Sequence, residues 1–250
     1  MFRKNKSGAY NIIRKKITVS TNNDARDMIK NSPPDTLIIA DEQSGGRGRQ
    51  GKTFLSPDGG LYMTLLLRCG MPIRDVIGAT SCAAVAVIRA LKNTAGLEAE
   101  IKWVNDIYVR GRKLCGILTE AVNDYDSGTT EYLIIGIGMN LASSPILDSQ
   151  SGTASISLAE LGIDAARDKL AYAIADELIK MRGGGFDFTS IKDEYVSRSA
   201  VFGREITFIK NGESRRGTAV RIEDGVELMV KTPDGGETLL DSGEISVRLK

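Results

Sequence analysis

Closely spaced turn signals in the last fifth of the chain constrain the fold more than any other feature. Asn211-Gly212, Asp224-Gly225 and Asp234-Gly235 each stand between short runs that read as strands. Asn-Gly and Asp-Gly are among the strongest local signals for a β-hairpin, because these residues accept the positive φ angles of a tight turn. The pattern therefore predicts a small, separate β-barrel. Its predicted strands are Glu205–Ile209, Arg215–Ile222, Val226–Lys231, Glu237–Leu240 and Ile245–Leu249.

The preceding residues predict a mixture of strands and helices. Strands are expected at Ile17–Val19, Thr36–Ala40, Leu61–Leu67 and, as a β-meander, at Ala99–Trp103, Ile107–Val109, Leu114–Val122 and Glu131–Ile137. Helices are expected from the N-caps Ser20 or Asn22 to about Lys30, from Pro72 to Gly96, and over Ala165–Met181. The first sixteen residues are predicted to be a short basic segment that leads into the strand at Ile17–Val19. No helix or strand is predicted between Gly185 and Ser199.

The composition excludes several classes of site. The 250 residues include no histidine, which rules out Ser-His-Asp and Cys-His catalysis and any metal site that needs imidazole. Cys69, Cys82 and Cys115 are odd in number and far apart, so we expect buried thiols in a reducing cytosol rather than disulfides or a zinc site. No apolar run reaches bilayer-spanning length, and the basic N-terminus lacks a signal peptide's apolar stretch. A cytoplasmic protein is expected.

The loop from Gln43 to Gly60 is the first candidate for a functional segment. It contains six glycines, two arginines and a lysine, and its first acidic residue is Asp58. Gly48 allows the backbone to curl, so that Arg47 and Arg49 can point at one anion. A solvated connection is the alternative, but structureless loops of this length are uncommon unless they are functional or disordered. The loop lacks the Gly-Lys-Ser/Thr spacing of a P-loop, yet it predicts a site for a phosphate-bearing ligand.

The segment Lys102–Gly116 is the second candidate. Asp106 stands seven residues before Lys113, and a turn at residues 110–112 separates them. Lys113 is either a surface lysine or, because an apolar strand follows it, a partly enclosed ammonium that needs an anionic partner. Asp106 is either that partner alone, or a general base or carboxylate that orients an incoming amine. Gly116 leaves room for a flat ligand to lie against the strand.

A third segment, Gly136–Asn140, ends a predicted strand with small residues and an amide. The Asn140 side chain can satisfy both a donor and an acceptor on a base such as adenine. Trp103, the only tryptophan, is expected in the core rather than as a platform for a ligand.

Taken in order, these motifs resemble those of the biotin protein ligases (biotin–carboxylase ligases). The matching segments extend over almost the whole chain: Ser20-Thr21-Asn22, Gly45–Gly51, Ser56-Pro57, Lys102–Asp106, Arg112–Leu118, Gly136–Asn140 and Gly243–Ser246. The resemblance implies an α+β fold, in which a mixed β-sheet catalytic domain flanked by helices occupies residues 1–198. This is the class II synthetase-like, or biotin ligase, fold. A small C-terminal SH3-like β-barrel is expected over residues 199–250.

The resemblance also implies an ATP-dependent ligase reaction in two steps. The biotin carboxylate attacks the α-phosphorus of ATP, which gives biotinyl-5′-AMP and diphosphate. A lysine amine of the biotin carboxyl carrier protein or domain of a biotin-dependent carboxylase then displaces AMP. Biotin and ATP are the expected substrates, with Mg²⁺ on the phosphates and its protein ligands unknown. A homodimer is expected, with neither a nucleic acid nor a membrane as partner.

Roles for individual residues follow from the same resemblance. The expected biotin-binding residues are Ser20, Thr21, Asn22, Gln43, Arg47, Gly48, Arg49, Lys113 and Gly116. The expected ATP- or adenylate-binding residues are Arg47, Arg49, Lys52, Phe54, Lys113 and Asn140. The expected catalytic residues are Lys113, Arg49 and Asp106. The two cations offset the charge that accumulates when two anions are joined, and Asp106 assists the amine. Closure of the glycine loop excludes water, which would hydrolyse the adenylate.

Three residues depart from the pattern of that family. Val104 replaces the usual proline, a backbone change that should be tolerated. Phe54 stands where tryptophan is common, so stacking on adenine should be weaker. Lys52 replaces a common arginine, which exchanges a bidentate fork for a point charge.

Three other functions compete with this interpretation. Lipoate ligases share the fold, but they typically carry a histidine that this chain lacks. A biotin-sensing repressor would need a helix-turn-helix domain, and fewer than twenty residues precede Ser20 here. Nucleic-acid binding by the C-terminal barrel is disfavoured by its many acidic residues. The barrel is expected instead to help close the site or to receive the carrier domain.

Overall fold

The structure, a computed structural model, describes residues 3–4, 8–143, 154–210, 212–241 and 245–247. Asn211 of the first predicted hairpin, the Gly243-Glu244 part of the family motif and the end of the last predicted strand lie outside the described residues.

Within that part of the chain, eight strands form one mixed sheet in the order β1-β2-β3-β4-β8-β7-β6-β5. Their bounds are β1 Arg3–Lys4, β2 Asn11–Thr18, β3 Thr36–Gln43, β4 Leu61–Pro72, β5 Glu100–Lys102, β6 Asp106–Val109, β7 Arg112–Asp124 and β8 Thr129–Met139. Strands β2 and β3 run parallel, and the other neighbouring pairs are antiparallel. The predicted β-meander is confirmed as β5 to β8.

Helices cover both faces of this sheet. They are α1 Thr21–Met28, α2 Ala79–Ala95, α3 Arg167–Arg182 and α4 Lys192–Ser197. Successive residues of β3 alternate between two cores: Leu37 and Ile39 join the main core with α2 and α3, whereas Ile38 joins a smaller cluster with Ala25 of α1. Burial on both faces explains why this strand is a continuous apolar run. No helix in the described residues has the length and apolar character needed to cross a bilayer.

The prediction that the first sixteen residues form only a basic lead-in is wrong, because β2 begins at Asn11 rather than at Ile17. Three consecutive cations, Arg14, Lys15 and Lys16, interrupt the alternation of apolar and polar residues that would have indicated a strand. In the folded chain two of the three cations of β2 are paired with carboxylates on neighbouring helices: Lys15 lies 2.7 Å from Asp24, and Arg14 pairs with Asp168.

One helix boundary and one helix also differ from the prediction. Pro72 ends β4 instead of opening a helix; a 3₁₀ turn over Ile73–Val76 follows, and α2 begins at Ala79. Gly96 does take the left-handed conformation predicted for the end of α2. The segment before Ser199, predicted without any element, contains α4, whose Tyr195 packs edge-on against Phe188.

The C-terminal residues form a second antiparallel sheet, with the described strands in the order β12-β11-β10-β9-β13. The bounds are β9 Glu205–Lys210, β10 Glu213–Ile222, β11 Leu228–Lys231, β12 Glu237–Leu240 and β13 Ile245–Val247. This sheet agrees with the predicted SH3-like barrel. It is docked on the larger sheet by Trp103, whose Nε1 donates to the carbonyl of Val226 at 2.9 Å. Trp103 is 4% exposed, so the prediction of a core tryptophan is confirmed.

Candidate active site

A cavity of about 640 Å³ lies beside the N-terminus of α1. Every site residue predicted from the sequence lines it: Ser20, Thr21, Asn22, Gln43, Arg47, Gly48, Arg49, Lys52, Phe54, Asp106, Lys113, Gly116 and Asn140. The fold thus brings together residues from α1, the glycine loop, the β6–β7 hairpin and the end of β8.

One end of the cavity is a network of uncharged hydrogen-bonding groups. The Gln43 side-chain oxygen accepts from the backbone N–H of Thr21 at 2.8 Å and faces its hydroxyl at 3.1 Å. The Gln43 amide nitrogen donates to Ser56 Oγ at 2.9 Å. Ser20, Thr21 and Asn22 are all buried, because the first turn of α1 points into the sheet. Gln43 is therefore fixed in one orientation, with its oxygen directed at α1.

The same network continues through the sheet below α1. The Thr64 hydroxyl donates to Asn22 Oδ1 at 2.6 Å, and Asn22 Nδ2 donates to Glu120 Oε2 at 2.9 Å. Gly136 is required here, because a Cβ at this position would lie 2.8 Å from Asn22 Cγ and overlap the amide. Rigid donors and acceptors of this kind suit a planar, uncharged ligand group that carries both.

The glycine loop is folded back on itself. Backbone bridges join Gln43 to Ser56 and Arg47 to Thr53. The Arg47 guanidinium donates to Asn23 Oδ1 at 2.8 Å, whereas that of Arg49 donates to Asn105 Oδ1 at 3.1 Å. The two arginines thus have separate partners in this structure, rather than one shared point as expected. Both still line the cavity.

Positive charge dominates the charged part of the cavity lining. The described lining contains five cationic side chains, Arg47, Arg49, Lys52, Lys102 and Lys113, against one carboxylate, Asp106. Lys113 Nζ lies 2.8 Å from Asp106 Oδ1, and the two side chains are 27% and 20% exposed. Partial enclosure strengthens the attraction of this surplus charge for an anion. The arrangement can therefore bind and stabilise a ligand with several negative charges.

The Phe54 ring lies against the sheet beside these cations. Lys113 Nζ is 5.8 Å from the ring centroid. A Cβ at Gly138 would lie 2.7 Å from Phe54 Cζ, and one at Gly116 would lie 2.9 Å from Phe54 Cε2. The room predicted beside Gly116 exists, but the Phe54 ring occupies it. A flat ligand would lie on this ring rather than on the strand.

Asn140 contributes an acceptor rather than a donor. Its Nδ2 donates to the carbonyl of Ile156 at 3.1 Å and to that of Lys113 at 3.4 Å, so both hydrogens of the amide already have acceptors within the chain. Its Oδ1 is buried, and no described atom donates to it. A buried carbonyl oxygen without a donor costs free energy, so this atom favours a ligand N–H group.

Sequence reasoning missed Thr64 and Glu120, which fix Asn22, and assigned no role to Lys102 or Asn105. Thr64 could have been predicted from the sequence, because its hydroxyl lies within the apolar run of β4 and a buried hydroxyl needs a hydrogen-bond partner. Lys102 and Asn105 both lie in the segment Lys102–Asp106, which matches a motif of the family, and that match was the available signal for them. Glu120 could not have been found, because its partners Asn22, Arg26 and Arg47 are brought to it only by folding.

The cysteine in the site is chemically inert. Cys115 is buried and free, and burial raises the pKa of its thiol against the smaller opposing effect of Lys113. It remains protonated at neutral pH, so it is not a nucleophile.

Comparison with known proteins identifies the family. The model of the biotin/lipoate A/B protein ligase family matches residues 11–140, which is 130 of the 250 residues and contains every predicted site residue. The chain belongs to this family.

Individual family members show how far the likeness extends. The chain is 40% identical to the bifunctional ligase/repressor BirA of Bacillus subtilis (strain 168) over 128 residues, 50% of this chain and 39% of that protein. It is 28% identical to the biotin–[acetyl-CoA-carboxylase] ligase of Paracoccus denitrificans, over 89% of this chain and 95% of that protein. The biotin protein ligase from Aquifex aeolicus, solved in complex with biotin and ATP, has a TM-score of 0.76 at 26% identity, covering 96% of this chain and 99% of that chain. The chain thus spans 39% of the length of the Bacillus relative but nearly all of the other two. The likeness to the solved ligase confirms the predicted fold.

Proposed function

We propose that this protein is a biotin–[biotin carboxyl-carrier protein] ligase. It would activate biotin with ATP as biotinyl-5′-AMP and transfer biotin to a lysine of a carrier protein or domain of a biotin-dependent carboxylase. The observation that carries the proposal is the lining of one cavity, which combines the uncharged hydrogen-bonding residues around α1 and Gln43 with five cations and one carboxylate. This matches a ligand with a polar ring at one end and a nucleotide at the other.

The uncharged end suits the ureido ring of biotin. A urea group offers one acceptor and two donors, so it needs neutral partners of both kinds rather than charges. Ser20, Thr21, Asn22 and Gln43 provide such partners. The Thr64 hydroxyl lies 2.7 Å from Thr21 Oγ1 and 2.6 Å from Asn22 Oδ1, and so helps to hold both residues in place. The biotin carboxylate would then extend toward Lys113.

Adenylate formation would take place beside the cations of the cavity. A carboxylate oxygen forms a bond to the α-phosphorus, and the bond from that phosphorus to the bridging oxygen of the diphosphate breaks. The two reactants are both anionic, so cations that lie where charge accumulates lower the barrier. Lys113 and Arg49, with Arg47 and Lys52 in the glycine loop, would supply this charge. Ordering of the loop, including Gly48, would exclude water from the adenylate.

The adenine ring would lie at the far end, between Phe54 and Asn140. Asn140 Oδ1 would accept a hydrogen bond from the adenine amino group, the only exocyclic donor of that base. Gly116 would keep the Phe54 ring close to the sheet. In the second step Asp106, released from Lys113, would orient or deprotonate the incoming lysine amine.

Mg²⁺ fits this cavity only with help from the nucleotide. Asp106 is the one carboxylate in the described lining, and the described residues contain no cluster of three possible metal ligands. Phosphate oxygens and water would provide most ligands, as is usual for this ion. Bound Mg²⁺ would neutralise phosphate charge.

The same proposal includes a cytoplasmic location, a homodimeric assembly and a domain boundary at residues 198/199. It also includes the carrier protein as the macromolecular partner, in place of nucleic acid or membrane. The Paracoccus relative, whose name is that of a biotin–[acetyl-CoA-carboxylase] ligase, supports the choice of partner.

The test is biotin-dependent exchange of labelled diphosphate into ATP, followed by labelling of a purified carrier domain. Lipoate replaces biotin in a parallel reaction, because the family also contains lipoate ligases. We expect exchange and labelling with biotin alone. Activity with lipoate and none with biotin would reject the assignment, as would failure of the wild-type protein in both assays.

A further inference from the structure

Lys102 is the one cation in the described lining of the cavity that has no role so far. It ends β5, and its Nζ lies 3.3 Å from the hydroxyl of Tyr108 and 5.2 Å from the centroid of that ring. None of the ion pairs between described residues joins Lys102 to a carboxylate. Asp106 is directly opposite Lys102 in the β5–β6 register, but it is paired with Lys113 instead.

The surroundings of Lys102 favour an anionic ligand. Burial lowers the pKa of its ammonium; Asp106 opposes this effect, and the charges of Lys113 and Lys52 add to it. The Tyr108 hydroxyl offers a neutral acceptor, because burial raises the pKa of the phenol and keeps it protonated. A half-buried ammonium beside other cations costs free energy until an anion binds. The site is therefore built for an anion that the chain itself does not supply.

The order of the strands indicates which part of a nucleotide would reach Lys102. Asn140 follows β8, Lys113 lies on β7, and Lys102 lies on β5, beyond β6. Neighbouring strands are about 4.8 Å apart, so β5 lies roughly 10 Å beyond β7 on the side away from Asn140. If adenine lies at Asn140 and the α-phosphate at Lys113, the remaining phosphates continue toward β5.

We propose that Lys102 binds the β- and γ-phosphates of ATP and the diphosphate that leaves, and that Tyr108 positions its ammonium. The inference rests on the proposed function. When the bond between the α-phosphorus and the bridging oxygen breaks, its electron pair stays on the diphosphate, and Lys102 offsets that charge. Lys113 remains with the α-phosphate and the biotin carboxylate. The two lysines thus act on different products of the first step.

This division of roles is tested by product inhibition. Lys102→Met should raise the inhibition constant of diphosphate and the KM for ATP, each roughly tenfold or more, because a charge-assisted hydrogen bond is lost. The affinities for AMP and biotin should stay within about twofold, since neither ligand carries these phosphates. Lys102→Arg should recover most of the diphosphate affinity because it keeps the charge. Lys169→Met, which removes an exposed lysine of α3, is the matched control.

A second measurement separates binding from folding. Transfer of biotin from preformed biotinyl-AMP to the carrier should be unaffected in Lys102→Met, because diphosphate has already left. A purely structural role would weaken AMP and diphosphate together and slow this transfer, and that result overturns the proposal. Unchanged diphosphate inhibition overturns it equally. If Lys102→Met does not fold, Lys102→Gln takes its place.

Calorimetric titration of the free protein with diphosphate separates this inference from the proposed function. Binding that is lost in Lys102→Met supports the phosphate site even if the wild-type protein forms no biotinyl-AMP. Equal binding by both proteins rejects the site even if the ligase reaction is demonstrated.

Discussion

The ammonium of Lys113 lies 2.8 Å from the carboxylate of Asp106, and both side chains face the same cavity. While the pair is intact, the two residues are neutral together. An incoming phosphate must compete with Asp106 for the Lys113 ammonium. When the phosphate binds Lys113, the Asp106 carboxylate is released from the ion pair. The two roles considered for Asp106, partner of a lysine and assistant to an amine, are therefore compatible if they are used one after the other.

Lys113→Ala should abolish most diphosphate exchange. We expect kcat for adenylate formation to fall about 10²–10³-fold, the usual cost of removing one group that stabilises charge in a transition state. Biotin binding, measured by calorimetry, should change far less, because the uncharged end of the cavity is intact. Exchange at the wild-type rate would show that Lys113 has no part in the first step.

Asp106→Asn should harm the second step more than the first. The substitution keeps the shape of the side chain but removes the charge that would orient or deprotonate the acceptor amine. Single-turnover measurements of adenylate formation and of transfer to the carrier provide the comparison. Raising the pH should partly restore transfer, since more of the acceptor amine is then unprotonated. Equal losses in both steps would contradict the assigned role.

Gly138→Ala should raise the KM for ATP without changing biotin affinity. The added Cβ would lie 2.7 Å from Phe54 Cζ, so the ring must leave the face on which adenine is proposed to lie. The double variant Gly138→Ala/Phe54→Ala should show no additional loss beyond that of Phe54→Ala. Gly184→Ala is the control, because a Cβ there would make an ordinary 3.6 Å contact. Independent, additive losses in the double variant would argue against this explanation.

Asn140→Ala should reduce the preference for ATP over GTP. The buried Oδ1 accepts from an amino group that adenine has and guanine lacks at that position. Loss of one such hydrogen bond corresponds to roughly tenfold in selectivity. Asn140→Asp keeps the acceptor and should keep the selectivity, although it loses the bond to Ile156 and some stability. The ratio of kcat/KM values for the two nucleotides in the exchange reaction is the measurement.

Cys82 should make the protein sensitive to alkaline pH. Burial raises the pKa of its thiol from 9.0 to about 12, so the folded state favours the protonated form. This stabilisation is complete below the pKa of the unfolded thiol and is lost as pH rises toward 12, by at most about 1.4 kcal/mol per pH unit. Cys82→Ala should therefore flatten the decline in the free energy of unfolding above about pH 9. A decline of the same slope in both proteins would mean that other groups cause it.

Local patterns were sufficient where the structure depends on local geometry. The turn signals around 224–225 and 234–235 lie between strands as predicted, because a tight turn is specified by its own residues. Patterns failed where a tertiary partner determined the outcome. The charges of β2 made the strand hard to recognise, because their carboxylate partners lie on other elements: Asp24 on α1 and, more than 150 residues away, Asp168 on α3.

By itself, the sequence determined the class of both sheets, the family and thirteen residues that line the cavity, since these depend on residue type, spacing and motif order. Only the tertiary structure decided how those residues are used. It directed Arg47 and Arg49 to different partners, left Asn140 with an acceptor alone, and placed Lys102 two strands beyond Lys113. The physical reason is that hydrogen bonds and ion pairs are short-ranged, so each side chain's role depends on neighbours that folding brings within about 3 Å.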